Sequence, residues 1–203
     1  LATDPRDATG TPTSFRLNAL LDAIGGTAYL EIGVWTGLTL ESVRAGRRVG
    51  VDPAIAFDPA GLPADIELHR TTSDRYFRRR APLREFDLIF LDGLHEFRQT
   101  YRDVVNALAA LRPGGAILVD DVVPSSEAAA AATQLEANRL RSPDAEDHGA
   151  WMGDVFRVIP VVMAEHPDVT VLTIIGDGHR PQSLLIPPEP MAPVPAPEDA
   201  LAK

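Results

Sequence analysis

Seven short apolar runs recur along the chain, and each has the length of a single β-strand. They cover residues 28–32, 48–51, 66–69, 86–91, 116–119, 169–175 and 184–186. The strongest two, residues 86–91 and 116–119, have consecutive apolar residues from Leu88 and from Ala116 rather than alternating ones, which is typical of parallel strands covered on both faces. The pattern therefore predicts a buried and mostly parallel sheet.

Helical periodicity occupies the intervals between these runs. Apolar side chains recur at helical spacing over residues 11–24, where Thr13 or Ser14 supplies the cap, and again over residues 97–111. Because strands alternate with helices, the sequence predicts an α/β fold with a doubly wound sheet.

The last third of the chain is less regular. The alanine-rich residues 125–139 indicate a helix, and residues 154–166 indicate a helix that Pro160 kinks or interrupts. The last two apolar runs are separated only by residues 176–183, which is too short for a helical crossover. We therefore expect these two strands to pair as an antiparallel hairpin.

Composition narrows the class of protein. The length of 203 residues favours a single domain, which we place at residues 1–186, followed by a proline-rich tail or linker at 187–203. A net charge of −10 disfavours nucleic-acid phosphates and anionic membranes as partners. The chain has no cysteine, so thiolate metal sites are excluded. It shows neither a signal-peptide pattern nor an apolar run long enough to span a membrane, which predicts a cytoplasmic protein.

The first apolar run leads into a glycine-containing turn. Glu31 is followed by Gly33, Trp35 and Gly37, and Asp52 ends the second run. Strand, glycine turn, helix, strand and acid form half of a nucleotide-binding sheet, in which the acid binds ribose hydroxyls. A pyrophosphate-binding turn needs glycine where this chain has Trp35. The turn therefore favours a ligand with ribose and adenine but no phosphates, such as S-adenosylmethionine.

Carboxylates also follow the fourth and fifth runs. Asp92 comes directly after residues 86–91, and Asp120 and Asp121 come directly after residues 116–119. Because neighbouring parallel strands end at the same sheet edge, these three acids should converge and repel one another unless a cation lies between them. A hard divalent cation, with Mg²⁺ preferred, meets that requirement. The alternative is that Asp120 and Asp121 cap a helix and contact a cofactor without metal.

Taken in order, these motifs resemble class I S-adenosylmethionine-dependent methyltransferases. The resemblance rests on the Glu-x-Gly-x-x-x-Gly turn, the acid after the second strand, Leu-Arg-Pro-Gly-Gly before the fifth strand and the terminal hairpin. The stretches at residues 90–95 and 119–121 are similar to small O-methyltransferases of the catechol O-methyltransferase type or of methyltransferase domain 24. The resemblance spans roughly residues 14–186 and implies a seven-stranded, Rossmann-like sheet.

For the cofactor, the resemblance implies a role for each residue of the first two strand ends. Glu31 would face the methionine end of S-adenosylmethionine, and Gly33 and Gly37 would let the backbone turn close to the ligand. Trp35 would shape the pocket near the methionine, with a place in the core as the alternative. Asp52 would accept both ribose hydroxyls, since its carboxylate has two oxygens.

The resemblance also implies roles nearer the reaction. Ser73 and Asp74 would contact the adenine, with an ordinary helix cap as the alternative for Ser73. Asp92 would lie beside the methyl-transfer centre, and Asp121 replaces an amide of the catechol type, which keeps an oxygen ligand and adds charge. His95 replaces the lysine that acts as general base there, and its ordinary pKa of about 6.5 suits that role.

The acceptor pocket falls in the least patterned part of the chain. Trp151 and Asp154 are candidate substrate contacts together with His95, and the polar residues 142–149, which include His148, are a candidate lid. A packed, structural Trp151 is the alternative.

We therefore expect an enzyme that transfers a methyl group from S-adenosylmethionine to a hydroxyl of a sugar, polyketide or phenol, with a divalent metal and His95 as base. The alternatives are a metal-independent methyltransferase, a dinucleotide-binding oxidoreductase, and a non-catalytic Rossmann-like domain of a larger protein. The first helix and the alanine-rich helix could each bury a face against a second copy, so a homo-oligomer stays open. No nucleic-acid or membrane partner is expected.

Overall fold

The computed structural model describes residues 10–80, 84–141, 151–175 and 180–189. Within these ranges the chain forms one seven-stranded sheet. Its strands are β1 (Ala28–Ile32), β2 (Arg47–Val51), β3 (Ile66–His69), β4 (Phe86–Leu91), β5 (Leu111–Val119), β6 (Thr170–Ile174) and β7 (Gln182–Ile186), and their order is β3-β2-β1-β4-β5-β7-β6. Every predicted apolar run is thus a strand of the sheet.

Strand direction follows the prediction as well. The five strands from β3 to β5 pair in parallel, whereas β7 is antiparallel to both β5 and β6. The expected hairpin is therefore present, with β7 inserted between β5 and β6. The architecture confirms the predicted doubly wound, Rossmann-like α/β fold.

Helices cover both faces of the sheet. In the described ranges they are α1 (Pro12–Ile24), α2 (Leu38–Ser42), α3 (Ser73–Arg80), α4 (Phe97–Ala110), α5 (Gln134–Leu140) and α6 (Val158–Glu165). Leu17 of α1 and Leu40 of α2 are fully buried on one face, and Val104 of α4 and Val158 of α6 are fully buried on the other. No helix in these ranges is long and apolar enough to cross a membrane.

Two local predictions are corrected. The cap of α1 is Thr11, whose Oγ1 accepts a hydrogen bond from the amide of Ser14 at 3.1 Å, rather than Thr13 or Ser14 itself. The helix that we placed at residues 154–166 begins only at Val158, after a 3₁₀ turn at Val155–Arg157. The prediction that Pro160 kinks or interrupts it is wrong, because Pro160 lies in the first turn of α6, where proline is tolerated.

The alanine-rich residues 125–139 do not form one helix, contrary to the prediction. The helix begins only at Gln134, where the Oγ1 of Thr133 accepts a hydrogen bond from the amide of Glu136. Upstream, the carbonyl of Ala129 accepts the amide of Met152 at 2.9 Å, and the carbonyl of Ala131 accepts the indole Nε1–H of Trp151 at 2.8 Å. These tertiary hydrogen bonds take the place of a helical ladder, and helix propensity alone could not reveal them.

Hydrogen bonds between neighbouring strands continue past their carboxyl ends. The amide of Asp92 donates to the carbonyl of Ile32 at 2.9 Å, and the amide of Asp120 donates to the carbonyl of Leu91 at 3.0 Å. The loops that follow β1, β4 and β5 consequently begin side by side at one edge of the sheet. That edge is where open α/β sheets bind ligands.

Candidate active site

The turn after β1 is built around the carboxylate of Asp52. Its Oδ2 accepts the amides of Val34 at 2.8 Å and Trp35 at 2.9 Å, and its Oδ1 accepts the amide of Ala54 at 2.6 Å. Asp52 is buried directly after β2, and its binding of ribose hydroxyls stays a prediction. The carboxylate also shapes the turn, because both of its oxygens accept backbone amides. These bonds use part of the accepting capacity of each oxygen.

Gly33 lets the loops after β1 and β4 touch. Its φ is +90°, and a Cβ at this position would lie 1.9 Å from the carbonyl oxygen of Asp92. Gly37 has a φ of +81°, and a Cβ there would meet the ring of Phe57 at 2.8 Å. Both glycines are therefore required by the backbone itself, whatever ligand approaches it.

Glu31 lies on β1 and is 1% exposed. Its Oε2 accepts the hydroxyl of Tyr29 at 2.6 Å. Burial raises the pKa of Glu31 well above its ordinary value, and the negative charges of Asp92 and Asp52 raise it further, although the bond from Tyr29 opposes them. A cationic ligand beside this carboxyl would allow it to ionise.

Trp35 is exposed, so the alternative of a core position is wrong. Its side chain is 70% accessible, and its backbone adopts a φ of +44°, which is rare for a residue with a bulky side chain. Strained backbone of this kind concentrates at ligand sites. The indole is consequently free to cover a ligand bound at the turn.

Ser73 and Asp74 begin α3 and face α4. The Nε2 of Gln99 donates to the Oγ of Ser73 at 3.1 Å and to the Oδ1 of Asp74 at 3.2 Å. The cap of α3 is Thr72, whose Oγ1 lies 3.4 Å from the amide of Arg75, so the capping alternative for Ser73 does not hold. Ser73 is buried, and it is tied to the helix that follows the fourth strand.

The central feature of the site is a cluster of Asp92, His95 and Asp121. One ligand atom from each residue lies within 4.8 Å of the others. The Nε2 of His95 is 3.1 Å from Asp121 Oδ2 and 3.5 Å from Asp92 Oδ1, and its Nδ1 is 2.8 Å from the carbonyl oxygen of Trp151. The carbonyl bond fixes a hydrogen on Nδ1, so Nε2 faces the two carboxylates.

The carboxylates hold a proton on His95. Burial alone would lower its pKa, but the hydrogen bond with Asp92 and the charges of Asp121 and Asp92 outweigh that effect and raise the pKa to about 9. Burial raises the pKa of Asp121 to about 6, with Asp92 adding to the shift and the charge of His95 opposing it. The cluster therefore stores a proton on His95 at neutral pH when no other cation is bound.

Asp121 has two further marks of a functional position. Its φ is +59°, and its side-chain Oδ1 is buried with no hydrogen-bond partner among the described residues. The NH1 of Arg180 lies 3.8 Å from that oxygen. A buried carboxylate oxygen without a hydrogen bond is uncommon in folded proteins, and a bound ion is one way to satisfy it.

Asp120 follows Asp92 to the same edge but is not in this group of three. Its Oδ1 accepts the amide of Asp121 at 2.9 Å, and its side chain is hydrogen-bonded to Gln182 of β7. Burial and the charges of Asp92 and Asp121 raise the pKa of Asp120 to about 7. The predicted trio of carboxylates is thus close in space, with His95 taking the third place nearest Asp92 and Asp121.

Asp154 contacts the backbone next to His95, and Trp151 contacts the His95 ring. Asp154 Oδ1 accepts the amide of Phe97 at 2.6 Å, and Asp154 Oδ2 accepts NH1 of Arg157 at 2.9 Å. The Trp151 ring packs against the His95 ring with centroids 5.4 Å apart. Residues 142–149, including His148, lie outside the described residues, and the lid stays a prediction.

Sequence reasoning missed the polar residues that come from other elements. Gln99 of α4 binds Ser73 and Asp74, while Gln182 of β7 and the neighbouring Arg180 reach Asp120 and Asp121. These residues stand in no motif, since each is brought to the site only by the packing of its element. Gln182 lies just before the apolar run 184–186, and that position beside a predicted strand was the signal available for it.

The comparisons with known proteins agree with this geometry. Residues 30–122 match a family model described as a methyltransferase domain. Over these residues the chain is similar to a methyltransferase domain. The match includes every predicted site residue from Glu31 to Asp121, and it confirms the predicted enzyme class and the resemblance to the S-adenosylmethionine-dependent O-methyltransferases. Among curated proteins, the comparison found no match.

Solved structures share the fold of the methyltransferase. An O-methyltransferase from Bacillus cereus in complex with S-adenosylhomocysteine is 22% identical, with a TM-score of 0.58 over 87% of this chain and 81% of that one. The O-methyltransferase TomG from Streptomyces achromogenes, in complex with S-adenosylmethionine, is 22% identical, with a TM-score of 0.58 over 93% and 82%. A methyltransferase from Podospora anserina bound to S-adenosylhomocysteine is 16% identical, with a TM-score of 0.60 over 92% and 83%.

Proposed function

We propose that the methyltransferase transfers the methyl group of S-adenosylmethionine to a hydroxyl oxygen of a small molecule such as a sugar, polyketide or phenol. One observation carries the proposal: the buried acids Glu31 of β1 and Asp52 after β2 lie on the same sheet as the Asp92–His95–Asp121 cluster, which follows β4 and β5, and β1 adjoins β4. A donor held at the first pair would present its methyl group toward the second.

The donor half of the site suits a cationic nucleoside. Glu31 is buried near two other acids, and burial together with the charges of Asp92 and Asp52 raises its pKa. S-adenosylmethionine supplies a sulfonium and an ammonium, whose charges would stabilise the ionised carboxyl. Asp52 offers its oxygens to the ribose diol, and the exposed Trp35 can cover the methionine portion.

The acceptor half of the site fits a divalent metal. Two carboxylates and an imidazole converge, and Asp121 presents a buried oxygen without a hydrogen bond. Asp92 and Asp121 would hold the ion, with Asp120 adjacent, and carboxylate ligands favour Mg²⁺ or Mn²⁺. When bound, the metal would bind the acceptor oxygen and lower the pKa of its hydroxyl.

His95 is the proposed base, and it can act as one only when its imidazole is neutral. At a pKa of about 9 it holds a proton at neutral pH, which prevents it from accepting another. Positive charge beside Asp92 and Asp121 would oppose the effect of these carboxylates and return the imidazole toward neutrality. The Nδ1 of His95 keeps its hydrogen and donates it to the carbonyl of Trp151, so Nε2 is the atom that takes the hydroxyl proton.

A metal-independent methyltransferase is the second candidate, and one observation favours it. Protonated His95 and Arg180 both lie beside Asp121, at 3.1 and 3.8 Å, and together they neutralise the acid pair without an ion. In that case His95 would bind the acceptor oxygen as a hydrogen-bond donor, and the reaction would rely on alignment of donor and acceptor.

Calorimetric titration of S-adenosylmethionine, with and without Mg²⁺ or Mn²⁺, tests the proposal. We expect saturable one-site binding, followed by turnover on a panel of sugars, polyketides and phenols that EDTA abolishes. Turnover that persists in EDTA would establish the metal-independent candidate. A folded protein that neither binds S-adenosylmethionine nor transfers methyl would overturn the proposal and favour a non-catalytic domain.

Asp52→Asn gives a sharper test of the donor site, and Asp58→Asn is its matched control. Both acids accept the amide two residues ahead, Ala54 at 2.6 Å and Ala60 at 2.9 Å, but only Asp52 is buried at the turn. We expect Asp52→Asn to weaken S-adenosylmethionine binding at least tenfold and Asp58→Asn to leave it unchanged. Equal affinities for the two variants would remove Asp52 from the donor site.

A further inference from the structure

Residues 151–154, which we call the 151–154 segment, contact the loop of His95 at three consecutive points. The carbonyl of Trp151 binds His95 Nδ1 at 2.8 Å. Gly153 has a φ of +64°, and a Cβ there would lie 1.7 Å from the carbonyl oxygen of His95. The carboxylate of Asp154 binds the amide of Phe97 at 2.6 Å. The segment therefore holds the imidazole and the backbone on both sides of it.

The contact at Asp154 replaces a missing helix cap. Glu96 precedes α4 and forms no side-chain cap bond to it, so the exposed amides of the first turn depend on another partner. Asp154 supplies that partner from 57 residues away, and Arg157 binds its second oxygen while stacking over the ring of Phe97 at 4.7 Å. Because His95 lies two residues before Phe97, the cap also sets where the imidazole stands.

The 151–154 segment is itself anchored to the rest of the fold. The amide of Met152 donates to Ala129, the indole of Trp151 donates to Ala131, and the Met152 side chain is 1% exposed. Its contacts to the His95 loop are consequently made by a fixed body. A fixed body can select one orientation of an imidazole, whereas a mobile loop would average over several.

We propose that Asp154, acting through the cap of α4, is a positioning residue that directs His95 Nε2 at the reacting oxygen. The inference rests on the proposed function, and it assigns Asp154 to the orientation of His95 where the sequence suggested a substrate contact. A displacement of about 1 Å in a catalytic group can lower turnover on the order of 100-fold. Loss of the cap should therefore lower kcat while the KM for S-adenosylmethionine stays unchanged.

Three full-length variants test this role. Asp154→Ala removes the acceptor of the Phe97 amide, and Asp154→Asn keeps an acceptor and removes the charge. Asp87→Ala is the matched control, since Asp87 also accepts backbone amides, those of Thr27 and Ala28, and pairs with an arginine, but at the opposite edge of the sheet. The ¹⁵N chemical shifts of the His95 ring and the kcat and KM of each variant are measured.

For Asp154→Ala we expect altered ring shifts, with the hydrogen no longer held on Nδ1, and a fall of kcat of about 10- to 100-fold at unchanged KM. Asp154→Asn should restore both readouts, and Asp87→Ala should leave both unchanged even if its melting temperature falls. Unchanged ring shifts and kcat in a folded Asp154→Ala, or equal changes in Asp87→Ala, would overturn the proposal.

The role of Asp154 can still be tested if Asp154→Ala does not fold or if the wild-type protein shows no turnover. If Asp154→Ala does not fold, Trp151→Phe removes the indole anchor on Ala131 and keeps a ring against His95, and it must shift the His95 signals for the proposal to stand. If the wild-type protein shows no turnover, the proposed function fails, but the ring shifts still decide whether Asp154 orients His95.

Discussion

The proton on His95 gives a quantitative prediction for stability in the absence of metal. Because the folded pKa of about 9 lies above the ordinary value of 6.5, protonation of His95 stabilises the folded state. The contribution is fully present below pH 6.5 and is lost as the pH rises through 9. The whole difference corresponds to about 3 kcal/mol, at 1.36 kcal/mol for each pKa unit.

The useful window lies between pH 7.5 and 9.5. The raised pKa values of Asp120 and Asp121, about 7 and about 6, place most of their titration below it. Across the window the contribution of His95 should fall by about 2 kcal/mol. Urea unfolding in EDTA, at several pH values, measures the free energy of unfolding for wild type and for His95→Gln. The variant has no titrating side chain at position 95.

The difference between the two proteins isolates the effect, since every other group titrates in both. We expect wild type to lose about 2 kcal/mol more than His95→Gln between pH 7.5 and 9.5. Parallel curves would refute the reasoning, because they would mean that Asp92 and Asp121 do not hold a proton on His95 in solution. Added Mg²⁺ or Mn²⁺ should flatten the wild-type curve if the ion displaces that proton.

Three further outcomes are expected. Gly33→Ala should lower the free energy of unfolding in urea by more than about 3 kcal/mol, because its Cβ would clash with Asp92. Gly61→Ala, which has a φ of +93° and open space around it, should cost only about 1–2 kcal/mol of backbone strain. Equal losses for the two variants would contradict the close approach of Gly33 to Asp92. Burial raises the pKa of Asp87, but the amides of Thr27 and Ala28 and the guanidinium of Arg112 lower it overall, so its contribution to stability is present above pH 4 and lost as the pH falls. Asp87→Asn should therefore reduce the loss of stability below pH 4. A melting temperature that falls with acid as steeply as in wild type would contradict this. Tyr29→Phe should weaken binding of S-adenosylmethionine several-fold in calorimetry, because it leaves Glu31 without its 2.6 Å hydrogen bond. An unaltered affinity would mean that Glu31 takes no part in binding the donor.

Sequence patterns were sufficient where one residue type meets one local requirement. The seven strands follow from apolar runs because a strand buried on both faces needs them, and Asp52, Asp92 and Asp121 could be placed because each follows such a run. Their convergence then follows from sheet topology alone. The match of residues 30–122 to the methyltransferase domain reflects the same local signals.

The parts that escaped prediction depend on contacts between distant segments. The orientation of His95 is set by Trp151 and Asp154, more than 50 residues away, and no spacing rule connects them. The alanine-rich stretch was predicted as one helix because alanine favours helices, yet Ala129 and Ala131 give their carbonyls to Met152 and Trp151 instead. Such tertiary bonds override propensity without leaving a local trace.

The place of β7 between β5 and β6 has a consequence for biosynthesis. The strand that is made last enters the interior of the sheet and brings Gln182 and Arg180 to the acids after β5. Until residues 180–186 leave the ribosome, β5 has an open edge, and Asp120 and Asp121 lack these partners. An open edge of a hydrophobic strand invites pairing with other chains. A nascent chain that stalls before β7 should therefore aggregate readily, and completion of the acid site coincides with closure of that edge.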